Sequence, residues 1–160
     1  MQEKIYLDTS VPSAVFDFSK PVRQLMTQKW FENESSNYKL FSSFVAIQEI
    51  RKTKNEQRRN QILDFIDEFQ VDIIDFDDNT VALAKEYING GAIPNTELED
   101  ALHIAVASMN NFTTLVSWNF KHIVSLNPIR KIHEINKRLG FPLVEITTIE
   151  MLGGYKYGNI

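Results

Sequence analysis

One stretch near the middle of the chain limits its possible folds more than any other. Residues 97–107 read Glu-Leu-Glu-Asp-Ala-Leu-His-Ile-Ala-Val-Ala, which as a helix has almost no polar face after its acidic start. This pattern is typical of a helix buried against a sheet. Thr96 and Glu99 have the spacing of a capping box, which predicts that the helix begins at Thr96. Asp100 then lies one turn into the helix, where the helix dipole favours a carboxylate but apolar surroundings make it costly.

The length and composition limit the classes of protein to which the chain can belong. With 160 residues the chain is long enough for one domain with a substantial core, which we place at residues 1–152 with a C-terminal tail at 153–160. It contains no cysteine, so it offers neither a disulfide framework nor a thiolate site for zinc. No apolar run reaches the length of a membrane span, and we expect a cytoplasmic protein that does not associate with membranes. The net charge of −4 argues against coating nucleic acid by bulk charge alone.

Strand-like and helix-like segments alternate along the chain. Runs of β-branched and aromatic residues predict strands at 4–7, 38–43, 71–76, 113–118 and 143–147. Apolar periodicity and capping residues predict helices at 11–18, from 21 onward, and at 45–52, 55–70, 81–88, 96–107 and 127–139. This alternation predicts an α/β fold, with an open, mostly parallel sheet covered by helices on both faces.

Four polar residues fall where such a sheet binds ligands. Asp8 follows the first predicted strand, Glu49 lies in the helix after the second, Asp100 opens the helix before the fourth, and Asn119 ends the fourth. Because ligands of parallel sheets bind outside the carboxyl ends of the strands, we expect these four side chains to meet at one rim. Asp77 and Asp78 also follow a strand, but they are typical of a helix-capping turn.

The acids and the basic residues together indicate a class of chemistry. Carboxylates without cysteine favour a hard ion such as Mg²⁺ or Mn²⁺ over zinc. Such an ion activates water and neutralises charge on a phosphodiester. Basic residues near the acids are candidates for holding flanking phosphates, or else they form solvated helix faces. They are Arg51, Lys52, Lys54 and Lys121. His103 is interpreted as a core histidine with no catalytic role.

Four short motifs, in this order, resemble the PIN-domain family. They are Leu7-Asp8-Thr9-Ser10, Glu49, residues 100–105 (Asp-Ala-Leu-His-Ile-Ala) and residues 115–122 (Leu-Val-Ser-Trp-Asn-Phe-Lys-His). Within that family the chain is most similar to the VapC-like toxins of prokaryotic toxin–antitoxin pairs. The resemblance runs over residues 5–152, and its specificity lies in the order and spacing of motifs that are individually weak.

The resemblance implies a three-layer α/β/α sandwich that acts as a Mg²⁺- or Mn²⁺-dependent endoribonuclease. By the family's pattern, Asp8, Glu49 and Asp100 are metal-binding catalytic acids. Asn119 stands at a catalytic position where many members have aspartate. A neutral amide offers one oxygen but adds no charge, which puts a second metal position in doubt. Auxiliary roles fall to Thr9, Ser10, Ser117 and Glu97. The resemblance also implies an RNA substrate, an antitoxin partner and a homodimer.

Two other functions compete with the nuclease. Asn119 and the net negative charge are also consistent with a PIN-like scaffold that has lost its catalytic activity and binds RNA or protein. Phosphotransfer receivers and small phosphohydrolases likewise place acids at the rim of a parallel sheet, and Asp8 fits the position of their nucleophile. Metal binding discriminates the scaffold from the nuclease, and phosphoryl trapping at Asp8 would identify the third class.

Overall fold

Among the described residues, five strands and eight α-helices follow one another along the chain. The computed structural model describes the backbone of residues 2–157 and the side chains of residues 2–153. The strands are β1 (Glu3–Leu7), β2 (Tyr38–Ser43), β3 (Asp72–Ile74), β4 (Thr114–Val116) and β5 (Glu145–Thr147). The helices are α1 (Ser10–Ala14), α2 (Pro21–Asn33), α3 (Phe44–Arg51), α4 (Glu56–Glu68), α5 (Asp78–Asn89), α6 (Leu98–Met109), α7 (Leu126–Leu139) and α8 (Ile149–Tyr157). Over that range, no helix combines the length and apolarity needed to span a membrane.

The strands form one parallel sheet in the order β3-β2-β1-β4-β5. Its centre is β1, where Ile5 is in register with Leu40 of β2 on one side and Thr114 of β4 on the other. The chain extends the sheet in one direction through β2 and β3 and then returns to the other side of β1 with β4 and β5. The order therefore reverses beside β1, which is where a ligand crevice is expected in an open parallel sheet.

Helices pack on both faces of this sheet. Alternation along β1 sends Ile5 and Leu7 into one apolar cluster and Tyr6 into the other. Residues 101–108 of α6 are all buried, as its apolar sequence predicts. The α/β class, the parallel sheet and the three-layer α/β/α arrangement are thus confirmed.

The start of α6 differs from the prediction. The helix begins at Leu98 after Glu97, and no side chain caps it. The capping box was wrong because Glu97, and not Thr96, is the residue that precedes the helix; the carboxylate of Glu99 accepts a 2.7 Å bond from Lys52 at the end of α3.

Two other predicted segments also differ. The first helix stops at Ala14 rather than at 18, since Asp17 accepts a hydrogen bond from the Ser19 N–H (3.0 Å) and so forms a turn. The tail has no periodicity in the sequence, yet α8 continues through Tyr157 beyond a non-helical residue at Gly153. Residues 158–160 of that tail lie outside the described residues, and the domain boundary at 152 stays a prediction.

Candidate functional site

The four predicted residues meet around one cavity. Asp8, Glu49, Asp100 and Asn119 line a volume of about 210 Å³, and the remaining lining residues are Thr9, Ser10, Ser13 and His103. The cavity lies at the carboxyl end of β1, because Asp8 directly follows that strand. Strand ends, helix starts and their separations along the chain were enough to predict this convergence. The catalytic and metal-binding roles of these residues remain predictions.

Two serines hold the carboxylate of Asp8 in a fixed orientation. Asp8 is only 3% exposed. Its Oδ1 accepts hydrogen bonds from the N–H (3.0 Å) and the hydroxyl of Ser10, and its Oδ2 accepts one from Ser117 Oγ (2.5 Å). Burial raises the pKa of Asp8, which outweighs the lowering by His103 and the two serines. Asp8 is therefore a carboxylate whose charge needs compensation.

The same serines connect Asp8 to the loop after β4. Ser10 Oγ accepts from the Trp118 N–H (2.8 Å), and Ser117 Oγ accepts from the Asn119 N–H (2.9 Å). Each hydroxyl thus takes its orientation from the backbone and donates its proton to Asp8. Both serines therefore contact Asp8, and the auxiliary roles that the family's pattern implied for them remain predictions.

Glu49 belongs to a buried chain of hydrogen bonds. Its Oε1 accepts from Thr9 Oγ1 (2.7 Å) and pairs with His103 Nε2 (2.6 Å). On the other side of the ring, His103 Nδ1 lies 2.7 Å from the Tyr6 hydroxyl, which lies 2.7 Å from Ser43 Oγ. Burial acts to raise the pKa of Glu49, but the bond and charge of His103 outweigh it and lower that pKa overall. Glu49 is therefore held as an anion.

His103 is a site residue that sequence analysis missed. It was interpreted as a core histidine, and its side chain is indeed buried. Burial acts to lower its pKa, but Glu49 reverses the effect and raises it. A signal was present in the sequence, because residues three apart on a helix share a face and His103 follows Asp100 by three.

Asp100 lies between an amide and an imidazole. Its Oδ2 accepts from Asn119 Nδ2 (3.1 Å) and lies 3.2 Å from His122 Nδ1. Burial, reinforced by the charge of Asp8, raises the pKa of Asp100 to about 6, even though His122 and His103 lower it in part. The mutual repulsion of Asp8 and Asp100 is the electrostatic signature of acids gathered in one place.

Asn119 uses both ends of its amide within the protein. Its Oδ1 accepts the backbone N–H of His122 (2.9 Å), while its Nδ2 faces Asp100. In this arrangement Asn119 orients Asp100 and directs a donor, rather than an oxygen ligand, toward it.

Glu97 lies beside the cavity and outside its lining. Its Oε2 is 3.9 Å from His122 Nδ1. Glu97, Asp100 and His122 each offer one ligand atom, and these three atoms all lie within 4.8 Å of one another. Glu97, for which an auxiliary role was predicted, thus lies next to Asp100 and His122.

The predicted RNA-binding cations lie within five residues of Glu49 or Asn119 in the sequence and do not line the cavity. Arg51, Lys52 and Lys54 are exposed at the end of α3, where Lys52 pairs with Glu99. Lys121 is exposed and lines a neighbouring groove of about 610 Å³ with His122. A larger cavity, of about 900 Å³, lies at the amino ends of the strands, near Tyr38 and Asp72, and is remote from the acids.

Comparisons with known proteins identify the family. The model of the PIN domain matches residues 5–120. Among solved structures, VapBC2 from Rickettsia felis, bound to a DNA fragment from the promoter, has 17% identity and a TM-score of 0.54 over 91% of this chain and 98% of that one. VapC20 from Mycobacterium tuberculosis, a sarcin–ricin-loop-cleaving toxin, has 13% identity and a TM-score of 0.56 over 88% and 98%. No curated protein sequence matches the chain. The family match covers most of the chain, and the protein therefore belongs to the PIN domain family.

Proposed function

We propose that the protein is an endoribonuclease that depends on Mg²⁺ or Mn²⁺. The observation that carries this proposal is the meeting of Asp8, Glu49 and Asp100, from three distant segments, around one cavity. Such a cluster costs free energy in a folded protein unless it serves a ligand. The PIN domain family and the fold shared with VapC20, which cleaves the sarcin–ricin loop, support a nuclease.

In its chemistry the donor set of the cavity suits a hard divalent cation; among the described residues, the group whose ligand atoms all lie within 4.8 Å of one another is Glu97, Asp100 and His122, which shares Asp100 with it. Asp8, Glu49 and Asp100 supply carboxylate oxygens, the ligands that Mg²⁺ and Mn²⁺ prefer, and the chain has no cysteine. Burial raises the pKa of both Asp8 and Asp100, and the charge of Asp8 adds to the effect at Asp100, so a bound cation would favour the ionised form of both acids. When bound there, the cation would activate water and neutralise charge on the scissile phosphodiester.

The remaining polar residues position these acids. Ser10 and Ser117 orient Asp8, Thr9 and His103 orient Glu49, and Asn119 with His122 orients Asp100. Oriented ligands bind a metal more tightly because less reorganisation is needed. Arg51, Lys52, Lys54 and Lys121 then hold the phosphates on either side, as their exposure near the cavity allows.

RNA cleavage by the purified protein tests the proposal. Labelled single-stranded and structured RNAs are incubated with wild type, Asp100→Asn and the control Asp75→Asn, in Mg²⁺, Mn²⁺ or chelator. Asp75 is exposed near the end of β3, outside the cavity. Asp75→Asn therefore removes the same charge as Asp100→Asn without changing the lining of the cavity. We expect metal-dependent cleavage by wild type and Asp75→Asn, with a loss of at least about 100-fold for Asp100→Asn. Equal cleavage by all three proteins would contradict the assignment.

We extend the proposal to a toxin of a type II toxin–antitoxin pair that acts in the cytoplasm. The fold shared with VapBC2 and VapC20 supports this extension. The extended proposal includes an antitoxin partner and a homodimer. Induced expression should arrest growth for wild type and not for Asp100→Asn. Growth that continues with both proteins, at equal expression, would argue against a toxin.

The scaffold alternative has a specific observation in its favour. Asn119 contributes no charge, and its amide oxygen is already bonded to the backbone of His122. A scaffold should show no increase in melting temperature with Mn²⁺, whereas a nuclease should show one that Asp8→Asn removes. The third alternative, in which Asp8 is a nucleophile for phosphoryl transfer, is less favoured because the family match and the fold shared with VapC20 both support a nuclease.

A further inference from the structure

An aromatic pair lies on the far side of the loop that carries Asn119. Trp118 is 4% exposed and Phe120 is 49% exposed, and their ring centroids are 6.1 Å apart. The indole of Trp118 is anchored, since Nε1 donates to Thr27 Oγ1 (2.9 Å) while its backbone N–H donates to Ser10 Oγ. The pair is therefore attached to the same serine that orients Asp8.

Arg23 of α2 covers both rings. Its Cζ lies 5.2 Å from the centroid of Trp118 and 5.5 Å from that of Phe120, within cation–π distance. Among the described side chains, no carboxylate lies within 4 Å of its guanidinium nitrogens. A cation–π contact does not use the guanidinium N–H groups as hydrogen-bond donors to an anion, so Arg23 retains donors for one.

These residues line a groove of about 320 Å³ beside the acidic cavity. Its other lining residues include Lys20 and Val22 of the α1–α2 region and Glu150 of α8. Asn119 lines the cavity, while its neighbours Trp118 and Phe120 line the groove. A chain of nucleotides that crosses the cavity therefore has its next unit within reach of the groove.

We propose that the groove bounded by Arg23, Trp118 and Phe120 binds an unpaired nucleotide of the RNA next to the cleaved bond. Its base stacks on the exposed face of Phe120, and its phosphate accepts hydrogen bonds from Arg23 and Lys20. Exposed apolar residues such as Val22 also suit a protein partner, but Lys20 and Arg23 outnumber the one carboxylate of the lining, Glu150, and with an exposed ring they match a nucleotide better. A base in a duplex cannot stack in this way, so the substrate is single-stranded or looped at that position.

This inference rests on the proposed function for its ligand, so binding is measured apart from cleavage. A labelled single-stranded RNA of mixed sequence is titrated in chelator with wild type, Phe120→Ala, Phe120→Leu and Phe120→Trp. Phe18→Ala is the matched control, because Phe18 is 78% exposed and lies outside the groove. We expect about tenfold weaker binding for the Ala and Leu variants, and no change for the Trp variant or for Phe18→Ala. Arg23→Gln should lower the salt dependence of binding.

Substrate changes sharpen the test. With an abasic nucleotide beside the cleaved bond, wild type and Phe120→Ala should have equal affinity for the RNA. The two proteins should also have equal affinity for a fully paired duplex. Full binding by Phe120→Leu, or by Phe120→Ala, would overturn the proposal. It would also be overturned if wild type failed to bind this RNA, or if Phe120→Ala abolished self-association in sedimentation while RNA affinity stayed unchanged. Binding as expected, without cleavage in Mg²⁺ or Mn²⁺, would keep the groove and reject the nuclease.

Discussion

Two groups of carboxylates follow strands of the same sheet, and they differ in almost every physical respect. Asp8, Glu49 and Asp100 form the cavity group. Asp77 and Asp78 form the turn group at the start of α5, after β3, where both are exposed. In the turn, Asp77 accepts hydrogen bonds from the backbone N–H groups of Asn79 (3.1 Å) and Thr80 (3.2 Å) and caps the helix, as its sequence predicts.

The difference comes from the place of each strand in the sheet. β3 is an edge strand, so the turn that follows it has a neighbour on one side only. β1 is central, so Asp8 receives residues from the β2 side and from the β4 side. Local backbone N–H groups bind the carboxylate of Asp77 in the turn group, whereas Asp8 and Glu49 of the cavity group repel the charge of Asp100. Identical residue types after a strand thus become a cap in one place and a candidate metal centre in the other.

The largest expected effect is on metal binding by the cavity group. Asp8→Asn should reduce Mn²⁺ affinity by at least about 100-fold, since even residues that only orient metal ligands contribute 10–100-fold. Asp77→Asn should leave the affinity unchanged. The measurement is the increase in melting temperature with Mn²⁺ for each variant. An increase that survives in Asp8→Asn would remove the basis for separating the two groups.

A smaller effect is expected in the pH dependence of stability. Because the folded pKa of Asp100 is raised to about 6, the metal-free folded protein binds more protons than the unfolded chain between about pH 4 and pH 6. The stability that Asp100 contributes is therefore present at low pH and lost as pH rises through about 6. Relative to Asp100→Asn, wild type should lose roughly 1–3 kcal/mol of unfolding free energy between about pH 4 and pH 7.

Denaturant unfolding at several pH values measures this difference. The comparison with Asp100→Asn is needed because His103, with a raised pKa, acts in the same direction, while Glu49, with a lowered pKa, acts in the opposite one. A difference between the two proteins that does not change with pH would show that Asp100 is not electrostatically strained.

The smallest effect is expected in the turn group. Asp77→Ala removes the cap of α5 and should cost about 1 kcal/mol of unfolding free energy. For a chain of this length, the melting temperature should fall by about 2–4 °C. RNA cleavage at a temperature well below the transition should be unchanged, because the turn does not line the cavity. Loss of cleavage without loss of stability would mean that the turn also belongs to the functional site.

Local patterns predicted the elements better than their ends. Gly140 ends α7 with a positive φ of 81°, and glycine followed by proline two residues later is a local signal for a helix stop. The capping box at Thr96 was an equally local signal, but the carboxylate of Glu99 pairs with Lys52, which lies at the end of α3. Helix ends are thus predictable from sequence only where no distant side chain competes for the capping group.

The sequence by itself determined the order of strands and helices, the burial of α6 and the family, because these depend on periodicity and on short motifs. It also placed Asp8, Glu49, Asp100 and Asn119 at one rim, since parallel strands bring their carboxyl ends together. Only the tertiary structure decided that His103 orients Glu49, that Asn119 directs its amide donor at Asp100, and that Arg23 covers Trp118 and Phe120. Each of these is a contact between segments far apart in the chain, with a geometry that depends on side-chain orientation, and no local pattern encodes it.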